Sequence, residues 1–277
     1  MPPIVQPMSA TAIASAFEAA CRAELSALKP GNVHIFAAGH GMEVTQFEHA
    51  AAAAAPAIAR ADLKVGTRIE AAVQASLAAA GCNTNLGIIL LCVPLAAAVE
   101  QGQGGLRGGL RAVLDSLDVA DAQAAFRAIA AANPGGLGAV PDADVRMSAT
   151  ITLKAAMEMA AGRDSISRQY VTGFEDIFSL GMPALGDSPL ARERVEAAYL
   201  AFLSTFPDSH IVRKFGTAAA ETVQAEAQTV RSQLEGLDGG RRHDLLLAFD
   251  SRLKARGLNP GTTADLTVAS IFAALLA

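Results

Sequence analysis

The sequence predicts an all-α protein, a single-domain multi-helix bundle of about 11–13 helices around one central apolar helix. Three observations carry this. Alanine supplies 61 of 277 residues, aromatics make up 5% and tryptophan is absent. That composition favours helices over strands and lets helices approach closely. Apolar residues recur at helical spacing along almost the whole chain, and no run alternates over the length of a strand. Leu86–Glu100 is apolar on nearly every side, which places it at the centre of the bundle.

The elements follow in order. Ser9 is a cap for a first helix with Ile13, Phe17, Cys21, Leu25 and Leu28 on one side, ending at Lys29–Pro30–Gly31. Thr45 opens a second, with Glu48 placed for a capping box. The third, Gly66–Ala80, carries Ile69, Val73 and Leu77 at i+4 spacing after Val65. Leu86–Glu100 follows, then a glycine-rich connection over 102–109 and helices near 106–116 and 119–132. After the loop Asn133–Gly138 come helices near 146–161, 164–180, 189–206, 217–236, 241–256 and 262–276. Neither glycine-rich stretch separates self-contained sets of amphipathic helices, so residues 1–277 are expected to form one domain.

Composition also excludes classes of function. With 52% hydrophobic and 18% charged residues the chain is no disordered polymer. Net charge is −5, and no basic stripe appears beyond the arginine doublet Arg241–Arg242, so no nucleic-acid partner is expected. Cys21, Cys82 and Cys92 lack metal-ligand spacing and suit reduced thiols. No leader is evident and the longest apolar run, Leu86–Val99, is too short to span a bilayer. The expectation is a cytoplasmic protein without membrane contact, and a homo-oligomer is compatible with it.

Three junctions between strong helices concentrate polar groups. In Lys29–Pro30–Gly31–Asn32–Val33, proline stops a helix, glycine admits close backbone approach and lysine offers a point charge to phosphate. A helix stop with a solvated lysine accounts for the same residues. Gly81–Cys82–Asn83–Thr84–Asn85–Leu86–Gly87 leads into the most apolar helix, where free N–H groups attract anions. An ordinary N-cap is the other reading. In Asn259–Pro260–Gly261–Thr262–Thr263–Ala264–Asp265, Thr262 and Asp265 have capping-box spacing, yet Asp265 shares the inward stripe of Val268, Ala269 and Phe272.

Glu24 likewise falls on the apolar stripe of the first helix, and a buried carboxylate requires a cation, a metal or a hydrogen-bond donor. Two inward carboxylates near phosphate-like loops suit Mg²⁺ and a polyphosphate. Asp164 and Arg168, at i,i+4, read as a surface ion pair. The histidines show no metal-type pairing; His40 lies in the turn Gly39–His40–Gly41. No Walker loop, nucleotide-type glycine fingerprint, nucleophile elbow or HExxH is present.

Together the junctions resemble the triphosphoribosyl-dephospho-CoA synthase family. Lys29–Pro30–Gly31 looks like its early KPG motif, preceded by Glu24. Asn83–Thr84–Asn85–Leu86–Gly87 lies where members carry NTHKG, and Pro260–Leu266 looks like the late PGGSADL. The resemblance runs from about residue 20 to the last residue. It implies an all-α fold and a reaction in which the 2′-hydroxyl of dephospho-CoA displaces adenine from ATP. The triphosphate stays on the ribose, giving a prosthetic-group precursor for acyl-carrier subunits. The chain departs from the pattern where Asn85 and Leu86 replace the family His and Lys, and where GAHxDM is reduced to Gly39–His40–Gly41–Met42–Glu43. With Lys29–Pro30–Gly31–Asn32–Val33, Asn83–Thr84–Asn85–Leu86–Gly87, Asn133–Pro134–Gly135–Gly136–Leu137–Gly138 and Ser167–Arg168–Gln169–Tyr170 it looks like a divergent branch, often met in archaea and one-carbon-metabolising bacteria.

The expected function is therefore that of a transferase of cofactor biosynthesis. Lys29, Gly31, Asn32, Asn83, Thr84, Asn85, Gly261 and Thr262 would hold phosphates. Glu24, Lys29 and Asp265 would be the catalytic set, with Glu24 and Asp265 also holding Mg²⁺. The partners would be ATP and dephospho-CoA. One alternative is a synthase acting on a phosphorylated pterin or furan precursor of a one-carbon coenzyme. Another is a helical binding protein without catalysis, for which the lost lysine at position 86 speaks.

Overall fold

The computed structural model describes residues 8–37, 42–101, 104–133, 145 and 147–277. Within these residues the regular structure comprises fourteen α-helices, one π-helical turn and an isolated bridge between His34 and Ala37. The helices are α1 (Ala10–Ser26), α2 (Val44–Ile58), α3 (Val65–Ala80), α4 (Leu86–Glu100), α5 (Gly105–Ser116), α6 (Val119–Ala132) and α7 (Leu153–Ala160). They continue with α8 (Ser165–Thr172), the π turn (Ile177–Gly181), α9 (Met182–Leu185), α10 (Arg192–Thr205), α11 (Ser209–Phe215), α12 (Thr217–Gln233), α13 (Gly239–Ala255) and α14 (Gly261–Leu276).

The all-α expectation holds, with fourteen helices among the described residues where about 11–13 were expected, and the differences lie at boundaries, at one split helix and at one added helix. Ser9 caps α1 as expected, its Oγ accepting from the Ala12 N–H at 3.2 Å. The second helix starts at Val44, not Thr45. Glu43 is its N-cap, and the Glu43 N–H donates to Gln46 Oε1 at 2.9 Å, so the Thr45–Glu48 box is not formed. The helix expected over 146–161 begins only at Leu153, where Thr152 caps it. The helix expected over 164–180 is broken. Gly173 at φ +68° and Phe174 at φ +63° end α8, and the chain resumes through the π turn into α9. α11 was not anticipated. Its start is set by Asp208, which accepts from the N–H groups of His210 and Ile211. The part of the glycine-rich connection at 102–103, the loop over 134–138 and the turn holding His40 lie outside the described residues.

Two helices, rather than one, are buried almost all round: α4 and α14, which pack against each other. Around them the main apolar cluster gathers α1 to α9. A second cluster is built from α10 to α13. α10 divides its faces between the two, with Val195, Ala198 and Phe202 turned to the first and Tyr199, Leu200 and Leu203 to the second. No single helix among the described residues is long and apolar enough to cross a membrane.

α4 runs straight through Pro94, although proline has no N–H and leaves the carbonyl four residues earlier without its helical donor. That carbonyl belongs to Leu90, and the fully buried Tyr170 of α8 supplies the missing hydrogen bond, its OH donating to Leu90 O at 2.6 Å. Removing that hydroxyl with Tyr170→Phe is expected to lower stability in urea denaturation by about 1–3 kcal/mol, because a buried carbonyl loses its donor. Adding Pro94→Ala restores a backbone donor, so in that background the same substitution should lose most of its effect.

Candidate functional site

Five groups of residues enclose a cavity of about 690 Å³. The end of α1 and its following loop give Glu24, Asn32 and Val33, and the 259–265 segment gives Asn259, Gly261, Thr262 and Asp265. Asn83, Thr84, Leu86 and Gly87 come from the start of α4. The wall made by α6 and α7, including Phe126, Ile129, Leu153 and Met157, contributes no charged side chain. The corner between α8 and α11 contributes Arg163, Asp164, Ser167, Ser209, His210, Arg213 and Lys214.

Lys29 does not line the cavity. It is 0% exposed, with Nζ bonded to the Glu24 carboxylate and 3.0 Å from Asn32 Oδ1. Lys29 thus does not occupy the cavity-facing position expected of a direct phosphate contact, whereas both its partners face the cavity. Burial pushes the Glu24 carboxyl up and the Lys29 ammonium down, each opposed by the charge of the other. Asn32 carries the network onward, its Nδ2 donating to Asn259 Oδ1 at 2.8 Å.

Gly31 is also not a lining residue. Its N–H donates to Asp250 Oδ1 at 2.8 Å, and φ is +84°. A Cβ there would come within 2.8 Å of both Leu258 O and Pro260 Cδ, so glycine is required by conformation and by space. Asp250, almost wholly buried, lies 3.2 Å from His34 Nε2 and 3.0 Å from Lys254 Nζ. Burial raises the Asp250 carboxyl, but His34, the Gly31 N–H and Lys254 together hold it below the usual carboxylate range. Burial holds the His34 imidazole below its ordinary value.

At the other junction the capping box expected between Thr262 and Asp265 is absent. Pro260 is the N-cap of α14, and the donors of its first turn are met by Asp208, whose Oδ2 accepts from the Thr263 N–H at 2.7 Å and Oγ1 at 2.8 Å. Thr262 Oγ1 accepts from Ser209 Oγ at 3.0 Å. This leaves the Asp265 carboxylate with no hydrogen bond or ion pair among the described residues, facing the cavity. It lies against the first turn of α4, where a Cβ on Gly87 would fall 2.1 Å from Asp265 Oδ2. Burial, then the carboxylates of Asp208, Glu24 and Asp164, hold Asp265 well above the usual range.

The start of α4 divides its expected phosphate ligands. Asn83 and Thr84 line the cavity, with Asn83 Oδ1 accepting from the Leu86 N–H at 3.3 Å. Asn85 is the N-cap and lies behind them, buried, its Oδ1 accepting from Ser76 Oγ and its Nδ2 without a partner. Leu86 does face the cavity.

The structure also gathers residues that sequence reasoning passed over. Arg163, Arg213 and Lys214 bring three cations to the α8–α11 corner. The adjacent basic pair Arg213–Lys214 was the available signal, obscured because α11 itself was not foreseen. The surface pair expected between Asp164 and Arg168 is not made. Asp164 caps α8 by accepting from the Ser167 N–H, while Arg168 pairs with Asp176 at 2.7 Å. Among the described residues no three His, Cys, Asp or Glu side chains converge as a metal site. Glu24 and Asp265 are a two-carboxylate set, and Mg²⁺ characteristically takes one or two carboxylates and completes its shell with phosphate oxygens and water. The donor set therefore fits an ion arriving with a polyphosphate and does not fit an all-protein cage.

The sequence profile of the ATP:dephospho-CoA triphosphoribosyl transferase family matches residues 10–277. A solved structure from Archaeoglobus fulgidus, provisionally described as a triphosphoribosyl-dephospho-CoA synthase, is similar at 28% identity with a TM-score of 0.64. The match covers 82% of this chain and 96% of that one. No curated protein is significantly similar in sequence.

Asp250 is the anchor of the loop behind the cavity, so Asp250→Asn is expected to destabilise the protein by about 3–5 kcal/mol at neutral pH. Its folded pKa lies below the unfolded value. The contribution is therefore full above the unfolded value, about 3.9, and is lost as pH falls through the lower folded one. Urea denaturation of wild type and variant should give curves that converge on acidification.

Proposed function

Since the chain belongs to the ATP:dephospho-CoA triphosphoribosyl transferase family, we propose that this cavity is where a hydroxyl of dephospho-CoA displaces adenine from ATP. The observation that carries the reading is the Asp265 carboxylate, without a hydrogen bond or ion pair among the described residues and lodged against Gly87 in the same cavity as Glu24. In the proposed step a C–O bond forms at the anomeric carbon as the bond to the adenine nitrogen breaks; the hydroxyl proton passes to a base, and adenine leaves with the electron pair and takes up a proton to become the free base. Asp265 is suited to be that base, because a carboxylate held above its usual range takes a proton more readily. The anomeric carbon carries oxocarbenium-like positive charge in such a transition state, and Glu24, its charge maintained by the adjacent Lys29 ammonium, is suited to stabilise it. The hydroxyl of Thr84 and the amide of Asn32 supply orienting hydrogen bonds in the same space. Mg²⁺, held by Glu24 and Asp265, would neutralise phosphate charge.

Leu86 supports a second reading of the acceptor. It presents an apolar surface in the cavity, continuous in character with the uncharged α6–α7 wall. A flat acceptor such as a phosphorylated pterin or furan intermediate would find apolar contact there.

Incubation with ATP, Mg²⁺ and dephospho-CoA is expected to release free adenine, measured chromatographically. Adenine at background from folded protein, with phosphorylated pterin and furan acceptors also tried, would sink the ATP-donor reading. Asp265→Asn is expected to lower kcat by about 10²–10³-fold with helix content unchanged. Gly87→Ala, which drives a methyl group into the Asp265 carboxylate, should reduce turnover in the same direction.

A further inference from the structure

We infer that Arg163, Arg213 and Lys214 form the subsite that grips the polyphosphate tail of the donor. The assignment rests on the triphosphoribosyl-transfer reading for the identity of the donor, but its evidence is the charge distribution around the cavity. Each wall in turn can be asked whether it would accept several phosphate charges. The end of α1 and the start of α14 present the Glu24 and Asp265 carboxylates, which repel phosphate directly and would meet it only through an intervening Mg²⁺. The α6–α7 wall has no charge, and Lys29 is buried and committed to Glu24 and Asn32. The start of α4 offers Asn83 and Thr84 but no cationic side chain, and its Leu86 N–H is already taken by Asn83 Oδ1. Among the described lining residues the cationic side chains are those of the α8–α11 corner. There Arg163 and Lys214 have exposed side chains that make no hydrogen bond or ion pair among the described residues.

Arg213 stands between these two in character. It is half-buried, with Nη1 3.9 Å from Asp164 Oδ2 and Nη2 3.4 Å from His210 Nδ1, which hold the guanidinium at the cavity wall. Among the described residues Asp164 is the acid of this corner, and its Oδ1 is occupied as the cap of α8. Among those residues, three cations stand beside one engaged carboxylate, a grouping suited to an anion with several oxygens. Gripping the tail here directs the ribose away from the cations and toward Asp265. Because the triphosphate is not cleaved from the ribose, the same subsite would hold the product.

The test uses inorganic tripolyphosphate as the probe, titrated calorimetrically into the full chain. Wild type is expected to bind it, less tightly as salt rises, and to lose adenine-releasing activity competitively with ATP. Arg163→Ala and Lys214→Ala, which remove no hydrogen bond or ion pair made by these side chains among the described residues, should each weaken binding about tenfold. Each should raise KM for ATP far more than it lowers kcat. Lys64→Ala, a surface lysine paired with Asp118, should leave the affinity unchanged. Absence of tripolyphosphate binding, or equal affinity in wild type and both corner variants, overturns the assignment. Binding that depends on the corner in a protein that releases no adenine from ATP would keep the anion subsite and remove the reaction proposed above it.

Discussion

An ammonium group with no access to water constrains the whole site. Lys29 is completely enclosed, and an isolated charge in that position would cost more than a domain's net stability allows. Its partners must therefore be fixed: Glu24 from the last turns of α1 and Asn32 from the loop beyond. The loop is then secured from two sides. α10 contributes Glu196, which accepts from the Leu28 N–H, and Tyr199, whose OH donates to Pro30 O. α13 contributes Asp250 to the Gly31 N–H and Lys254 to Ala37 O. The face of Glu24 and Asn32 seen from the cavity is thus the outer layer of a buried polar stack, and its geometry is set from behind.

The small-residue composition serves this arrangement. Glycine lets other groups approach where a methyl group would collide. Gly66 receives Asp121 of α6, whose Oδ1 accepts the Gly66 N–H at 2.8 Å, and Gly87 receives the Asp265 carboxylate. Similar close approach brings α4 and α14 together as the two interior helices. α10 then binds the two apolar clusters by burying opposite faces in each.

The helical class was legible because periodicity and propensity agree over most of the chain. The inward position of Glu24 was legible for the same reason, since its place on the stripe of Ile13 and Phe17 requires only a regular α1. What escaped reading depended on partners distant in sequence. Thr262 and Asp265 match a local capping box, but Asp208, 55 positions before Thr263, serves the first turn of α14 instead. Lys29 followed by Pro-Gly looks exposed until Asp250 and Tyr199 are brought over it. Two of the corner cations, Arg213 and Lys214, were hidden by a seven-residue α11, too short to announce itself by periodicity. The break after Thr172 turns on Gly173 and a left-handed Phe174, a conformation that phenylalanine rarely signals.

The hydrogen bonds from Gly31 to Asp250 and from Asn32 to Asn259 join residues 219 and 227 positions apart. This has a consequence for biosynthesis. As the chain emerges from the ribosome, the Lys29 loop must wait through 219 and 227 further residues before Asp250 and Asn259 exist to cover it. The N-terminal helices can pair with near neighbours early, for α1, α2 and α3 pack in succession. The charged stack cannot close until α13 and the 259–265 segment arrive. Assembly of the pocket therefore follows the pairing of α1 to α3, and the nascent chain carries its ammonium and carboxylate hydrated until α13 and the 259–265 segment enclose them.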